Sequence, residues 1–214
     1  MKYQIIPVTP FQQNCSLVWC DETMKAAVID PGGDIDRILS EVKKLGVSLE
    51  KVFLTHGHID HVGGAKQLSE QLNIPIIGPH KADIFWLDNL VEQSQHFGLK
   101  ACEPFTSTQY LEDGDSVTIG NLTLQVLHCP GHTPGHVVFF CEKAKTAWVG
   151  DVLFHGSVGR TDFPQSNHDD LILSITKKLW PLGRDVEFIP GHGPISTFGS
   201  ERDQNPFVAD QLFG

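Results

Sequence analysis

His56, His58, Asp60 and His61 stand together in the stretch Thr55-His-Gly-His-Ile-Asp-His-Val-Gly-Gly64. Three imidazoles and a carboxylate within six residues make a metal-ligand set. Imidazole nitrogen and carboxylate oxygen are donors that zinc, iron and manganese all accept. A solvated histidine-rich turn is the plain alternative, and it fits poorly. Gly57 removes a side chain between two histidines, Asp60 supplies the carboxylate, and Gly63-Gly64 lets a helix begin close by. The run Val52-Phe-Leu54 reads as a short buried strand, which sets the ligands on a loop at a strand's carboxyl end.

The same arrangement of a strand followed by a glycine-flanked ligand recurs further along the chain. Cys129-Pro-Gly-His132-Thr-Pro-Gly-His136 follows the run 122–127, Gly150-Asp151 follows 147–149, and Pro190-Gly-His192-Gly follows 186–189. In each, a strand delivers one ligand and glycine lets the backbone turn tightly beside an ion. Any one of them alone is more often a turn than a ligand.

These loops need rigid elements behind them. Strand-like runs at 2–8, 14–20 and 25–29 predict an antiparallel meander. From Asp34, a helix N-cap candidate, Ile35, Ile38, Leu39, Val42 and Leu45 recur at helical spacing until Gly46. A helix over 62–72, a strand over 75–77 and a helix over 81–96 follow. Gly120-Asn121 between 117–119 and 122–127 signals a hairpin. Strands over 137–141 and 146–149, a helix over 168–180 and a strand over 186–189 complete the pattern. Strands precede helices in each half, so the expected architecture has helices on the outer faces of two packed sheets. No linker divides the chain, and one domain over 1–214 is expected.

Composition narrows the function. With 214 residues, 40% hydrophobic and 20% charged, the chain has the profile of a soluble globular enzyme. A formal net charge of −10 argues against nucleic acid as a partner, since that binding neutralises phosphates with Lys and Arg. Neither a leader nor a membrane span is indicated, so the expected setting is the cytoplasm, and the expected state a monomer. Cys15, Cys20, Cys102, Cys129 and Cys141 are odd in number with no CxxC pair, which suits free thiols in a reducing compartment.

Taken together and in this order, the histidine and aspartate motifs between Ile29 and Gly193 resemble the metallo-β-lactamase superfamily. The resemblance implies an α+β fold, a four-layer αβ/βα sandwich with a metal centre at one edge. It implies that His56, His58 and His132 bind one divalent ion, that Asp60, His61 and His192 bind a second, and that Asp151 bridges them. Zinc is the first expectation, with iron and manganese as alternatives. Five neutral imidazoles and two aspartates facing two divalent ions and a bridging hydroxide leave a net charge of about +1. His136 is implied to support the site without binding metal. Asp30, in Ile29-Asp-Pro-Gly-Gly33, has the same supporting role or is a turn cap. His80, His96, His155 and His168 fall outside any ligand spacing and read as ordinary core or surface residues.

Hydrolysis is the expected reaction class, by attack of a metal-bridging hydroxide with Asp60 and Asp151 as the catalytic carboxylates. No general acid stands out, which favours a thioester, whose thiolate leaves without a proton, over an amide. Within the superfamily the chain looks most like glyoxalase II, through residues 55–64, 130–136, Gly150-Asp-Val-Leu-Phe154 and Gly159-Arg-Thr-Asp162. That group hydrolyses S-D-lactoylglutathione, a hydroxyacylglutathione, to D-lactate and glutathione. Arg160 matches the position of a basic side chain near glutathione, and an ion pair with Asp162 is its alternative reading. Only 22 residues follow His192, where the larger glyoxalase II enzymes carry a helical domain, and Gly193-Pro194 replaces their tyrosine. The resemblance is therefore to the short, single-domain bacterial type, the YcbL-like proteins, and weaker glutathione binding is expected.

Three rival readings stand beside this one. Persulfide dioxygenases of the same superfamily share Gly159-Arg-Thr-Asp-Phe163 and use one iron, for which His56, His132 or His58, and Asp151 would be the ligands. The others are a β-lactam hydrolase and a non-catalytic metal-binding protein. Retention of all seven ligands favours the two-metal hydrolase.

Overall fold

Strands β1 (Lys2–Val8), β2 (Gln13–Trp19) and β3 (Lys25–Ile29) form the antiparallel meander. β4 (Ser48–Phe53) and β5 (Ile76–Ile77) then join in parallel, in the order β1-β2-β3-β4-β5. The helices α1 (Ile35–Leu45), α2 (Ile59–Val62), α3 (Ala65–Leu72), α4 (Ile84–Asp88) and α5 (Leu90–Phe97) come from the connections of this half. The computed structural model describes residues 1–212.

A second sheet is built from β6 (Ser116–Ile119), β7 (Leu122–His128), β8 (Val137–Cys141) and β9 (Thr146–Gly150). A small hairpin of β10 (Leu153–Phe154) and β11 (Ser157–Val158) follows. Beyond α6 (His168–Leu173), β12 (Glu187–Pro190) and β13 (Ser196–Thr197) complete the sheet in the order β13-β12-β9-β8-β7-β6, and α7 (Phe198–Gln204) and a 3₁₀ turn, Asp210–Leu212, follow.

Period-two alternation divides the strand residues among three cores. Leu17, Ala26, Val28 and Val52 point outward to α1 and α3, where they meet Ile35, Ile38, Ala65 and Leu68. Their neighbours Val18, Ala27, Ile29 and Phe53 point inward, against Phe139, Cys141, Trp148 and Ile189 of the second sheet. Val138, Phe140, Ala147, Val149 and Phe188 face the other way, onto Leu171, Ile175, Leu179 and Phe198. Phe53 and Phe139 stack across the two sheets with centroids 5.3 Å apart. The result is the four-layer αβ/βα sandwich.

Several expected elements differ in detail, each for a local reason. The helix expected over 62–72 is two pieces parted at Gly63-Gly64, where the chain passes too close to Gly32, Pro31 and Ile35 for any Cβ. The helix expected over 81–96 is a 3₁₀ turn, Lys81–Asp83, followed by α4 and α5, with the break at Asn89. That break lets Gln93 donate to the Trp86 carbonyl (2.8 Å) and accept from Ile59 N–H (3.0 Å). The helix expected over 168–180 widens into a π-helix at Ser174–Leu179, where Ser174 Oγ donates to the Pro130 carbonyl, 2.7 Å away. Asp34 stands at the N-cap of α1 but does not cap it; its carboxylate accepts from Thr9 N–H at 2.8 Å. β10, β11, β13 and α7 carry no periodic signal long enough to predict them.

Candidate metal centre

Both sheets send the carboxyl ends of their strands to one edge. Asp30 follows β3, the 56–61 cluster follows β4, His132 lies on the turn after β7, Asp151 follows β9 and His192 follows β12. The strands are held by the three cores, so the loop side chains inherit a rigid base.

Two groups of donors result. His56 Nε2 and His132 Nε2 lie 3.1 and 3.0 Å from His58 Nδ1. Beside them, His192 Nε2 is 3.1 Å and His61 Nε2 3.8 Å from Asp60 Oδ2. Asp151 stands between the groups, with Oδ1 3.4 Å from His61 Nε2 and Oδ2 3.6 Å from His132 Nε2 and 3.8 Å from His192 Nε2. The structure thus brings together all seven residues that the sequence singled out.

The outward nitrogens fix the orientation of four of the five rings, while His58 Nε2 is buried without a partner. His132 Nδ1–H donates to the Arg160 carbonyl at 2.8 Å, and His192 Nδ1–H to that of Phe11 at 3.2 Å. His61 Nδ1 faces Asp30 Oδ2 at 2.9 Å. His56 Nδ1 lies 3.0 Å from Thr55 Oγ1, whose hydroxyl donates to the same Asp30 oxygen at 2.6 Å. With these outer positions engaged, the inner nitrogens are the ones left for a cation. His61 Nε2 and Asp151 Oδ1 are buried without any hydrogen-bond partner. Leaving such atoms unpaired is costly, and a shared cation satisfies both. The donor set therefore fits two divalent ions.

Asp30, His56 and His61 also lie within ligating distance of one another. Asp30 is nonetheless spent on other partners: Oδ1 accepts from Thr55 N–H at 2.8 Å, and Oδ2 serves Thr55 Oγ1 and His61. It thereby fixes Thr55 and the His61 ring. His136 Nε2 accepts from the backbone N–H of Asp151 at 3.1 Å, and its ring stacks on His56 at 4.7 Å. It thereby helps to fix Asp151 and His56.

Burial governs the first donor group. Burial, then the surrounding imidazoles, keeps His56 well below the usual histidine range. Burial and then His132 push His58 down to about 3, and burial lowers His132 against the pull of Asp151. All three are neutral donors at pH 7. In the second group burial works against charge and loses. Asp151 and then Asp60 raise His61 well above its ordinary value, and Asp60 and Asp151 raise His192. Burial likewise favours protonated Asp151 and Asp60, but His61 foremost holds both below the usual carboxylate range. These inner nitrogens bind either a proton or a cation.

Other residues at the site were not legible in the sequence. Asp83, fully buried, accepts from Gly57 N–H (2.8 Å), Thr133 Oγ1 (2.8 Å) and Gly135 N–H (2.5 Å), tying the His56–His58 loop to the His132 loop. Its partners lie 26, 50 and 52 residues away, and no local pattern marks it. Above the donors opens a cavity of about 620 Å³, walled chiefly by Phe11, Trp86, Phe97, Phe154 and Phe163. His96, read as ordinary, also borders it. Arg160 borders it as well, but its guanidinium makes a bidentate pair with Asp162 (3.0 and 2.8 Å) and stacks 4.6 Å from Phe163. All five cysteines are buried and free, and among the described residues no helix is long and apolar enough to cross a membrane.

Residues 8–204 match the model of the metallo-beta-lactamase superfamily. The chain is 45% identical to hydroxyacylglutathione hydrolase GloC of Haemophilus influenzae over 209 residues, covering 97% of this chain and 98% of that one. Among solved structures, BLEG-1 B3 metallo-beta-lactamase superposes with a TM-score of 0.89 at 34% identity, covering 97% of this chain and 99% of the other. TTHA1623 in a di-iron-bound form gives 0.87 at 35% identity, covering 96% and 100%. With the matching fold and the convergent histidines and aspartates, these likenesses show that the chain belongs to the metallo-beta-lactamase superfamily.

Proposed function

We propose that this chain is a metal-dependent thioester hydrolase of the glyoxalase II type, acting as a single domain on a hydroxyacylglutathione such as S-D-lactoylglutathione. The observation that carries the reading is the pair of donor groups joined at Asp151, with His61 Nε2 and Asp151 Oδ1 unpartnered beneath an open cavity. The name of the GloC relative supports the same substrate class.

In this reading His56, His58 and His132 hold one divalent ion, Asp60, His61 and His192 hold another, and Asp151 serves both. Such ions supply a water-derived nucleophile at neutral pH and polarise the carbonyl under attack. The chain's own residues supply position. Asp30 and Thr55 orient His61 and His56, His136 fixes Asp151, and the Phe11 carbonyl orients His192. The aromatic wall lines the approach to the donors. A thiol with a pKa near about 8.5 departs as thiolate, so no side chain of the wall has to act as its acid. The ligand types suit zinc first, and the relative solved with two irons makes iron the alternative. Buried free thiols accord with a cytoplasmic setting, and we take the working unit to be the monomer.

Elemental analysis of the purified protein, followed by thiol release from S-D-lactoylglutathione on the same sample, tests this. Two ions per chain with thiol release is the expected result. A single iron, with oxygen consumed on glutathione persulfide and no thioester cleaved, replaces the reading with a dioxygenase.

A further inference from the structure

The cavity above the donors is apolar over much of its wall. Its inner end is an aromatic corner. The Trp86 ring lies 4.5 Å from His58 at 79°, and the Phe163 ring lies 4.8 Å from His58 and 5.5 Å from His132. Trp86 and Phe163 stand 6.3 Å apart at 86°, two walls at a right angle. Trp86 is 9% exposed and Gln93 beside it 5%. Gln93 spends its amide on Ile59 and Trp86, so it presents little free polarity to the corner. Of the charged side chains of the wall, Asp60 and Asp151 lie among the donors, Glu92 is exposed, and Arg160, 69% exposed and paired with Asp162, covers one side of the Phe163 ring at 4.6 Å. Phe11 and Phe97, 6.0 Å apart, mark the open mouth.

A glutathione thioester has two unlike ends about its carbonyl. The thiol end carries two carboxylates and an ammonium, which would lose their hydration against an indole and a phenyl ring. It belongs at the open rim, where Glu92, Arg160 and solvent can meet its charges. The acyl substituent is then the part that turns into the corner. A lactoyl methyl fills little of it, whereas a phenyl ring or branched alkyl group buries its surface there and packs edge-to-face.

We infer that Trp86 and Phe163 form an acyl-group subsite, and that thioesters of aromatic or branched 2-hydroxy acids are cleaved in preference to the lactoyl thioester. The inference rests on the thioester hydrolase reading and names its acyl class. The reaction is unchanged: water oxygen bonds to the acyl carbon, the carbon–sulfur bond breaks with its electron pair on sulfur, and carboxylate, thiol and one proton result.

The test compares kcat/KM of the metal-loaded enzyme for S-D-mandeloylglutathione and S-D-lactoylglutathione. A preference for mandeloyl of about tenfold or more is expected, the scale at which apolar pockets discriminate. Phe163→Ala, at a half-buried position, should bring that ratio towards one while the metal content per chain stays the same. Free D-mandelate and D-lactate carry the acyl group without the thiol. Mandelate should be the tighter competitive inhibitor of the parent enzyme, and Phe163→Ala should remove the difference. Equal cleavage of the two thioesters, equal inhibition by the two acids, or a preference that survives Phe163→Ala overturns the subsite. Failure to cleave either thioester sinks the hydrolase reading itself, a different and recognisable result.

Discussion

Asp30 Oδ2 lies 2.9 Å from Nδ1 of His61, so the outer nitrogen of that ring is engaged and Nε2 is left facing Asp151 and Asp60. The same carboxylate receives Thr55 Oγ1, through which it also reaches His56. One aspartate behind the site thus touches both donor groups.

Asp30→Asn should therefore weaken metal binding more than it weakens the fold. An amide cannot accept from Thr55 and His61 as the carboxylate does, and loss of such a partner typically costs about 10- to 100-fold in affinity. Chelator competition measures this, and the ion held by His61 should be lost first. Unchanged affinity for both ions would show that Asp30 is only a turn residue.

Asp83 gives a pH prediction. Burial raises it to about 6, over the opposing pull of Thr133, Gly57 and Gly135. Because the folded value exceeds the unfolded value of 3.8, the associated stability is fully present below about pH 4 and is lost as the pH rises through 6. At 1.36 kcal/mol per unit this is about 3 kcal/mol in all. Measured by denaturant unfolding of chelated protein, the stability of Asp83→Asn relative to the parent should climb by most of that amount between pH 4 and pH 7.5. A pH-independent difference contradicts it. At pH 7 the charged Asp83 is then held at a cost in stability, and the same substitution should lower metal affinity.

Proton release should accompany metal uptake. Asp151 and Asp60 raise His61, and Asp60 and Asp151 raise His192, so both rings hold a proton more tightly than an ordinary histidine and a cation must compete with it. Affinity should rise with pH, and titration calorimetry in buffers of different ionisation enthalpy should show protons entering the buffer. Chelation should lower the Tm, because Asp60 and Asp151 then face each other with only imidazolium between them.

Gly191→Ala should abolish the centre. A Cβ at this position would overlap the Asp151 carboxylate and the His61 ring. Overpacking of this kind costs about 1–3 kcal/mol and displaces the groups it meets. Metal content near zero in a protein that still unfolds cooperatively is the expected outcome.

Arg160→Ala should have a small effect. Its guanidinium is exposed and already paired with Asp162, so it offers the substrate little unpaired charge, and KM should change no more than a few-fold, about fivefold at most. A much larger rise would mean that the guanidinium leaves Asp162 to grip the thiol end of the substrate.

The identities of the donors were legible because they rest on short-range rules. A strand shows itself through alternation over a few residues, a glycine through the turn after it, and a histidine or aspartate through its own chemistry, so the 56–61 cluster, His132, Asp151 and His192 could be read off the chain. The pair Arg160–Asp162 was visible for the same reason, its members being two positions apart. Tertiary structure alone decided the partnerships that cross long stretches of chain. Asp83 meets Gly135 from 52 residues away, and Trp86 meets Phe163 only because the α4–α5 segment and the loop before α6 fold over the same strand ends. The breaks at Gly63 and Asn89 belong with these, since each coincides with a long-range contact, the close approach of Gly32 to Gly63 and the bond of Gln93 to Ile59. Side-chain chemistry is a property of the residue, but a contact exists only once two packed sheets have fixed the distance between strand ends.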